Sequence, residues 1–178
     1  MRPIFLIGYM GSGKTTLGRA VSAKLGMEFI DLDIFIEARY HQSVKEVFAQ
    51  YGEDGFRHIE QNILHEVSDF EDVIVSCGGG TPCHFDNMEF MKTHGTTVFL
   101  KVSVERLVER LTLPGSKSKR PLVADKTDTE VADFVTESLG QRTKYYEKAD
   151  ITFDASKLED CRQIDASAEA LKEILVKR

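Results

Sequence analysis

Short apolar runs rich in Ile, Val and Phe alternate along this chain with longer amphipathic stretches. The runs at residues 4–7, 28–31, 73–77, 97–102 and 150–153 are too short for helices and predict five strands. Helical periodicity covers 14–25, 33–40, 43–67 in one or two pieces, 85–94, 104–111, 129–147 and 161–177. Strands alternating with helices require right-handed crossovers and a mostly parallel sheet covered on both faces, so the predicted class is α/β. One stretch stands apart. Pro114 to Pro121 combines turn formers with three cations (Lys117, Lys119, Arg120) and no apolar periodicity, and predicts a mobile surface loop.

Length and composition narrow this picture. At 178 residues the chain is expected to form one domain with at most a lid or small insertion. With 42% hydrophobic and 29% charged residues it is neither disordered nor a disulfide scaffold. Lys plus Arg number 23 against 29 Asp plus Glu, and the net charge of −6 argues against nucleic acid and anionic membranes as partners. Cys77, Cys83 and Cys161 form no CxxC pair and read as reduced thiols of a cytoplasmic protein. The apolar start at residues 3–10 is broken by Gly8 and followed by Lys14, unlike a signal peptide, and no run approaches the ~20 residues of a membrane span. The five histidines show no metal-ligand spacing, and no exposed apolar stripe demands a second subunit, so a monomer is expected.

The strongest chemical signal is Gly8-Tyr-Met-Gly-Ser-Gly13-Lys14-Thr15, which matches GxxxxGK[ST] between a predicted strand and a predicted helix. Glycines at 8, 11 and 13 permit positive φ, so that backbone N–H groups including those of Gly11, Ser12, Gly13 and Thr16 can surround a phosphate at the positive end of a helix. Lys14 would reach the β- and γ-phosphates, and the Thr15 hydroxyl would serve Mg²⁺. A nucleoside triphosphate and Mg²⁺ are therefore the expected co-substrate and cofactor.

The group receiving the phosphate must be read elsewhere. Asp31 and Asp33 close the second predicted strand, where period-two geometry turns both carboxylates to one side of the sheet's carboxyl edge. Asp33 could accept a proton from an acceptor hydroxyl, orient that hydroxyl, or merely cap the next helix, while Asp31 supports the metal's water shell. Arg57 precedes Glu60 by three residues, a spacing that fixes a guanidinium for bidentate grip of an anion or makes an ordinary ion pair. Gly78-Gly-Gly80 ends the third predicted strand in a side-chain-free edge suited to a ligand. Arg120 would close over the phosphates from the basic loop, and Arg142 lies near a helix end.

Taken in order, the P-loop, Phe29-Ile-Asp31-Leu-Asp33, Gly55-Phe-Arg57-His-Ile-Glu60, Val75-Ser-Cys-Gly-Gly-Gly80, Lys119-Arg120-Pro121-Leu122 and Arg142-Thr-Lys-Tyr-Tyr-Glu-Lys-Ala149 resemble the shikimate kinase family over nearly the whole chain. The resemblance implies a three-layer α/β/α P-loop fold with a five-stranded parallel sheet of order 2-3-1-4-5. It implies a single kinase domain over 1–178, with a mobile lid at about 112–126 and an acceptor-binding helical region at about 33–66. It further implies ATP-dependent phosphorylation of the 3-hydroxyl of shikimate, a step of chorismate and aromatic amino-acid biosynthesis. Asp33, Arg57, Gly79 and Arg142 would bind shikimate, Lys14 and Arg120 would stabilise the γ-phosphoryl, and Thr15 and Asp31 would serve the metal. The stretch from Arg110, the family's adenine-stacking position, to Arg120 is a few residues longer than usual. Residues 153–157 lack the proline that some members set against adenine, which leaves Lys157 as the candidate there. Another kinase of the same fold, acting on gluconate or a nucleotide, and a P-loop module using ATP as a switch are the alternative readings.

Overall fold

The computed structural model describes residues 1–113, 115 and 122–177. Strands β1 (Ile4–Ile7), β2 (Glu28–Asp31), β3 (Val73–Ser76), β4 (Thr96–Lys101) and β5 (Ile151–Asp154) form one parallel sheet ordered β2-β3-β1-β4-β5. Helices α1 (Lys14–Leu25), α2 (Leu32–Tyr40), α3 (Val44–Ser68), α4 (Asn87–His94), α5 (Val104–Thr112), α6 (Asp128–Tyr146) and α7 (Cys161–Val176) cover it. The central strands β1 and β3 are buried along their whole length, which explains their unbroken apolar runs in place of an alternating pattern.

The helix boundaries follow local chemistry. At the start of α3 the Ser43 Oγ accepts from the Glu46 N–H at 3.3 Å while the Glu46 carboxylate accepts from the Ser43 N–H at 2.7 Å, a reciprocal capping box. Thr127 and Glu130 repeat the arrangement at the start of α6. The long helical pattern at 43–67 is indeed in two pieces, because Gly52 takes φ 70° and ψ −178° inside α3. Helix α4 starts at Asn87, two residues later than the periodicity predicts. Residues Thr81–Cys83 form a 3₁₀ turn and Phe85 lies at φ 50°, so the chain cannot enter the helix earlier.

Sheet topology locates the site. From β1 the chain crosses through α1 to the edge strand β2, whereas from β3 it crosses through α4 to β4 on the other side. Right-handed crossovers in opposite directions send the two helices to opposite faces and leave a crevice at the carboxyl ends of β1 and β3. Of the predicted lid, residues 114 and 116–121, Arg120 among them, lie outside the described residues. Among the described residues no helix is long and apolar enough to cross a membrane.

Two glycines test the packing. A methyl group on Gly18 in α1 would lie 2.5 Å from the Phe29 ring and 2.9 Å from Leu6, whereas one on Gly140 in α6 would meet nothing within 4 Å. Gly18→Ala is expected to lower stability by about 1–3 kcal/mol through overpacking, and Gly140→Ala to raise it by up to about 1 kcal/mol through helix propensity. Urea midpoints that moved the same way in both variants would contradict this packing.

Candidate active site

The chain leaves β1 at Ile7 and turns into α1 with Gly8, Gly11 and Gly13 at φ 146°, 82° and 93°, the positive values that the motif requires. Close approach adds a second constraint at Gly13, where a Cβ would fall 2.3 Å from Leu158 Cδ1. Lys14 Nζ donates to the carbonyls of Gly8 at 2.8 Å and Tyr9 at 3.0 Å. Ser12 is buried, with its Oγ unpartnered. A cleft of about 540 Å³ opens over this loop, and Lys14, Thr15 and Thr16 line it together with Asp31 and Asp33.

Thr15 Oγ1 donates to Asp31 Oδ2 at 2.9 Å, so the two residues expected to serve a metal meet across the β1 and β2 ends. A hydroxyl and one carboxylate are hard oxygen donors, and so small a protein set fits Mg²⁺, which keeps waters and takes phosphate oxygens.

Asp33 does not extend the strand. Helix α2 begins at Leu32, so Asp33 sits in its first turn, and the alternation argument for a shared strand face fails there. Nor does Asp33 cap the helix, since the N-cap residue is Asp31, without a side-chain capping bond. The carboxylate still reaches the cleft, because the helix starts at the sheet's carboxyl edge. Burial first, and then the charges of Asp31 and Glu60, push the Asp33 carboxyl up to about 6, against the opposing pull of Lys14.

The loop after β3 carries the other half of the site. Glu60, 1% exposed, accepts from Arg57 NH1 at 2.9 Å through one oxygen and from the Thr81 hydroxyl at 2.5 Å through the other. This carboxylate fixes both the guanidinium and the turn after the glycines. Arg57 lies over the rings of Phe56 and Phe48, at 5.4 Å and 5.9 Å, and its buried Nε has no partner. A Cβ on Gly80 would stand 2.9 Å from both terminal nitrogens of Arg57, and one on Gly79 3.5 Å from Arg142 NH1. The glycines are therefore the surface on which two arginines from distant helices converge.

Helix α6 ties the two loops together. The Tyr146 hydroxyl donates to the Gly79 carbonyl at 2.6 Å, the Tyr9 hydroxyl bonds Ser138, and Arg142 lies 5.6 Å over the Tyr9 ring. Burial pushes both tyrosine hydroxyls above their ordinary pKa. Sequence reasoning singled out neither tyrosine as part of the site, and nothing in their spacing marks them.

At the opposite end of the cleft the structure departs from expectation. Lys157 is exposed and does not line the cleft, whereas its neighbours Leu158 and Glu159 do. Leu158 is drawn down onto Gly13, which turns the preceding side chain outward. Arg110 donates to the carbonyls of Gly11 at 3.2 Å and of Ala155 and Ser156 at 3.0 Å each, and to Glu159 at 3.1 Å.

A cleft lined by a phosphate-binding loop and by Gly78 and Gly79, the turn on which two arginines converge, on a sheet of order 2-3-1-4-5, defines a small-molecule kinase of the P-loop fold. The model of the shikimate kinase family matches residues 10–175. The chain belongs to the shikimate kinase family. The shikimate kinase of Phocaeicola vulgatus is 54% identical over 177 residues, 99% of this chain and all of that protein. The crystal structure of the Bacteroides thetaiotaomicron shikimate kinase superposes with a TM-score of 0.94 at 49% identity, covering 98% of each chain. The Acinetobacter baumannii shikimate kinase in complex with shikimate gives 0.82 at 30% identity, covering all of this chain and 95% of that one.

The raised Asp33 carboxyl has a measurable effect on stability. Its folded pKa near 6 exceeds the ordinary 3.8, so its favourable contribution is complete below the lower value and is lost as the pH rises through the higher one. In metal-free protein, Asp33→Asn is expected to raise the thermal midpoint clearly above about pH 7 and little near pH 4. An equal rise at both would contradict this assignment.

Proposed function

We propose that the protein transfers the γ-phosphoryl group of ATP to the 3-hydroxyl of shikimate, giving shikimate 3-phosphate and ADP. The convergence of Arg57 and Arg142 on Gly79 and Gly80, the turn whose Gly79 lines the cleft over the P-loop, carries this reading. A cyclic carboxylate fits between two guanidiniums, and the unpartnered Nε of Arg57 supplies a further donor. The backbone at Gly79 then lies along the ring, and Asp33 faces the reacting hydroxyl.

Chemistry follows from placement. Lys14 and the P-loop N–H groups hold the β- and γ-phosphates, with Arg120 added from the lid. Thr15 would hold Mg²⁺, with Asp31 acting through its water shell; when bound, the ion neutralises charge on the β- and γ-phosphate oxygens. Asp33, with a carboxyl near 6, is ionised at neutral pH and able to take or orient the hydroxyl proton as the oxygen attacks phosphorus. Residues 1–178 act as one kinase domain, with a lid at about 112–126 and an acceptor region at about 33–66, in a cytoplasmic monomer.

Release of ADP from ATP and Mg²⁺ is expected to depend on shikimate, and shikimate-independent turnover, or none, would sink the reading. Lys14→Ala is expected to lose nearly all transfer. At the acceptor end Arg57→Lys is the better probe, because alanine would leave buried Glu60 unpaired, at a cost of about 3–5 kcal/mol in stability. Its KM for shikimate is expected to rise by about tenfold or more with nucleotide affinity unchanged. An unchanged KM would mean that the acceptor site is misplaced.

A further inference from the structure

The two cations of the acceptor end are steadied by different means. Arg57 is held by carboxylates, Glu60 at 2.9 Å and Glu53 at 3.7 Å. Arg142 instead lies 5.6 Å over the ring of Tyr9, a residue of the phosphate-binding loop that is 1% exposed. Its NH1 also reaches the glycine turn, 3.5 Å from where a Cβ on Gly79 would stand. A residue of the nucleotide loop thus supports an arginine of the acceptor end.

Tyr9 divides its main chain and its side chain between two jobs. Its carbonyl accepts from Lys14 Nζ at 3.0 Å and from the Ser12 N–H at 3.1 Å, so the main chain belongs to the phosphate loop. Its side chain leaves that loop for α6, where the hydroxyl meets Ser138. Ser138 Oγ gives its single proton to the Phe134 carbonyl at 2.6 Å, which makes the Tyr9 hydroxyl the donor of the pair. Ser138 and Arg142 stand one turn apart on the same face of α6, and helical side chains lean toward the N-terminus, so the arginine returns over the turn that holds the ring. The hydroxyl therefore fixes the ring relative to the helix that carries the guanidinium. Volume alone asks for no such bond, since leucine or phenylalanine would fill a buried position without a polar atom to satisfy.

We propose that Tyr9 is a positioning residue for the acceptor: its ring supports the Arg142 guanidinium beside the glycine turn, and its bond to Ser138 keeps that ring in register with α6. The proposal rests on the reading of Arg142 as a ligand of the acceptor carboxylate, and extends it to a side chain that does not itself line the cleft. Because Lys14 is held through a main-chain carbonyl, a change of the Tyr9 side chain leaves that contact in place. Acceptor affinity and nucleotide affinity are therefore expected to separate.

Steady-state ADP release by the full chain, with each substrate varied in turn, tests this. Tyr9→Leu is expected to raise the KM for shikimate about tenfold, with the KM for ATP within about twofold of the wild type and kcat changed far less than the acceptor KM. Tyr9→Phe, which restores the ring, is expected to recover most of that loss and to match Ser138→Ala at about a twofold to threefold rise, because each deletes the same bond. Arg142→Met supplies the second arm: in that background Tyr9→Leu is expected to add nothing, since its effect passes through the guanidinium. A comparable rise that persisted beside Arg142→Met, or one shared equally by ATP, would overturn the proposal as a merely structural effect. So would a wild-type KM for shikimate in Tyr9→Leu or, should that variant not fold, in both Tyr9→Phe and Ser138→Ala. An active wild type confines any such failure to Tyr9, whereas a wild type that turns over no shikimate refutes the proposed reaction and this proposal with it.

Discussion

The site depends on two neighbouring strands ending side by side. β1 and β3 pair in parallel with Leu6 opposite Ser76, and the ladder extends one step further through the Cys77 N–H to the Leu6 carbonyl at 3.0 Å. Because the connections leave these strands in opposite directions, neither α1 nor α4 roofs the gap between them. Both exits are glycine loops, one turned to present N–H groups and the other stripped of side chains to admit arginines. A one-residue slip between β1 and β3 would misplace both loops at once, since each follows directly from the register.

Electrostatics then divides the crevice. The chain is acidic overall, with a net charge of −6, yet Lys14, Arg57, Arg110 and Arg142 all approach the carboxyl edge of the sheet. Each is steadied by oxygen atoms or rings, and the strongest anchor is Glu60, a carboxylate with 1% exposure spanning Arg57 and Thr81. A buried ion pair of this kind is a poor source of stability but a good source of geometry. Beyond the effect of burial, the same carboxylate, with Asp31, raises the Asp33 carboxyl, so that holding an arginine and tuning a neighbouring carboxyl are consequences of one placement.

Much of this was legible in the sequence for definite reasons. The strands are apolar runs because both faces of the sheet are covered, and the P-loop is a local motif whose glycines have to take positive φ. Arg57 and Glu60 are three residues apart on one helix, so their contact could be read directly. What escaped was non-local. Tyr9, Ser138 and Tyr146 meet around Arg142 only because α6 crosses both loops, and separations such as the 129 residues between Tyr9 and Ser138 leave no periodic trace. Asp33 illustrates a subtler failure, since a single residue separates a strand end from a helix start and reverses the geometric argument while keeping the residue in place. Lys157 was the candidate in a stretch that lacks the family's proline, although it is the apolar neighbour Leu158 that packs inward.

The cysteines offer an unplanned experimental handle. Cys77 is buried beside Met91, and burial pushes its thiol and that of half-buried Cys83 above the usual range. Cys161 is exposed and opens α7, two residues beyond Glu159. A thiol-directed fluorophore would therefore attach first at the start of α7, without any engineering of the chain. The natural sequence thus carries its own reporter position, two residues along the chain from Glu159 at the edge of the cleft.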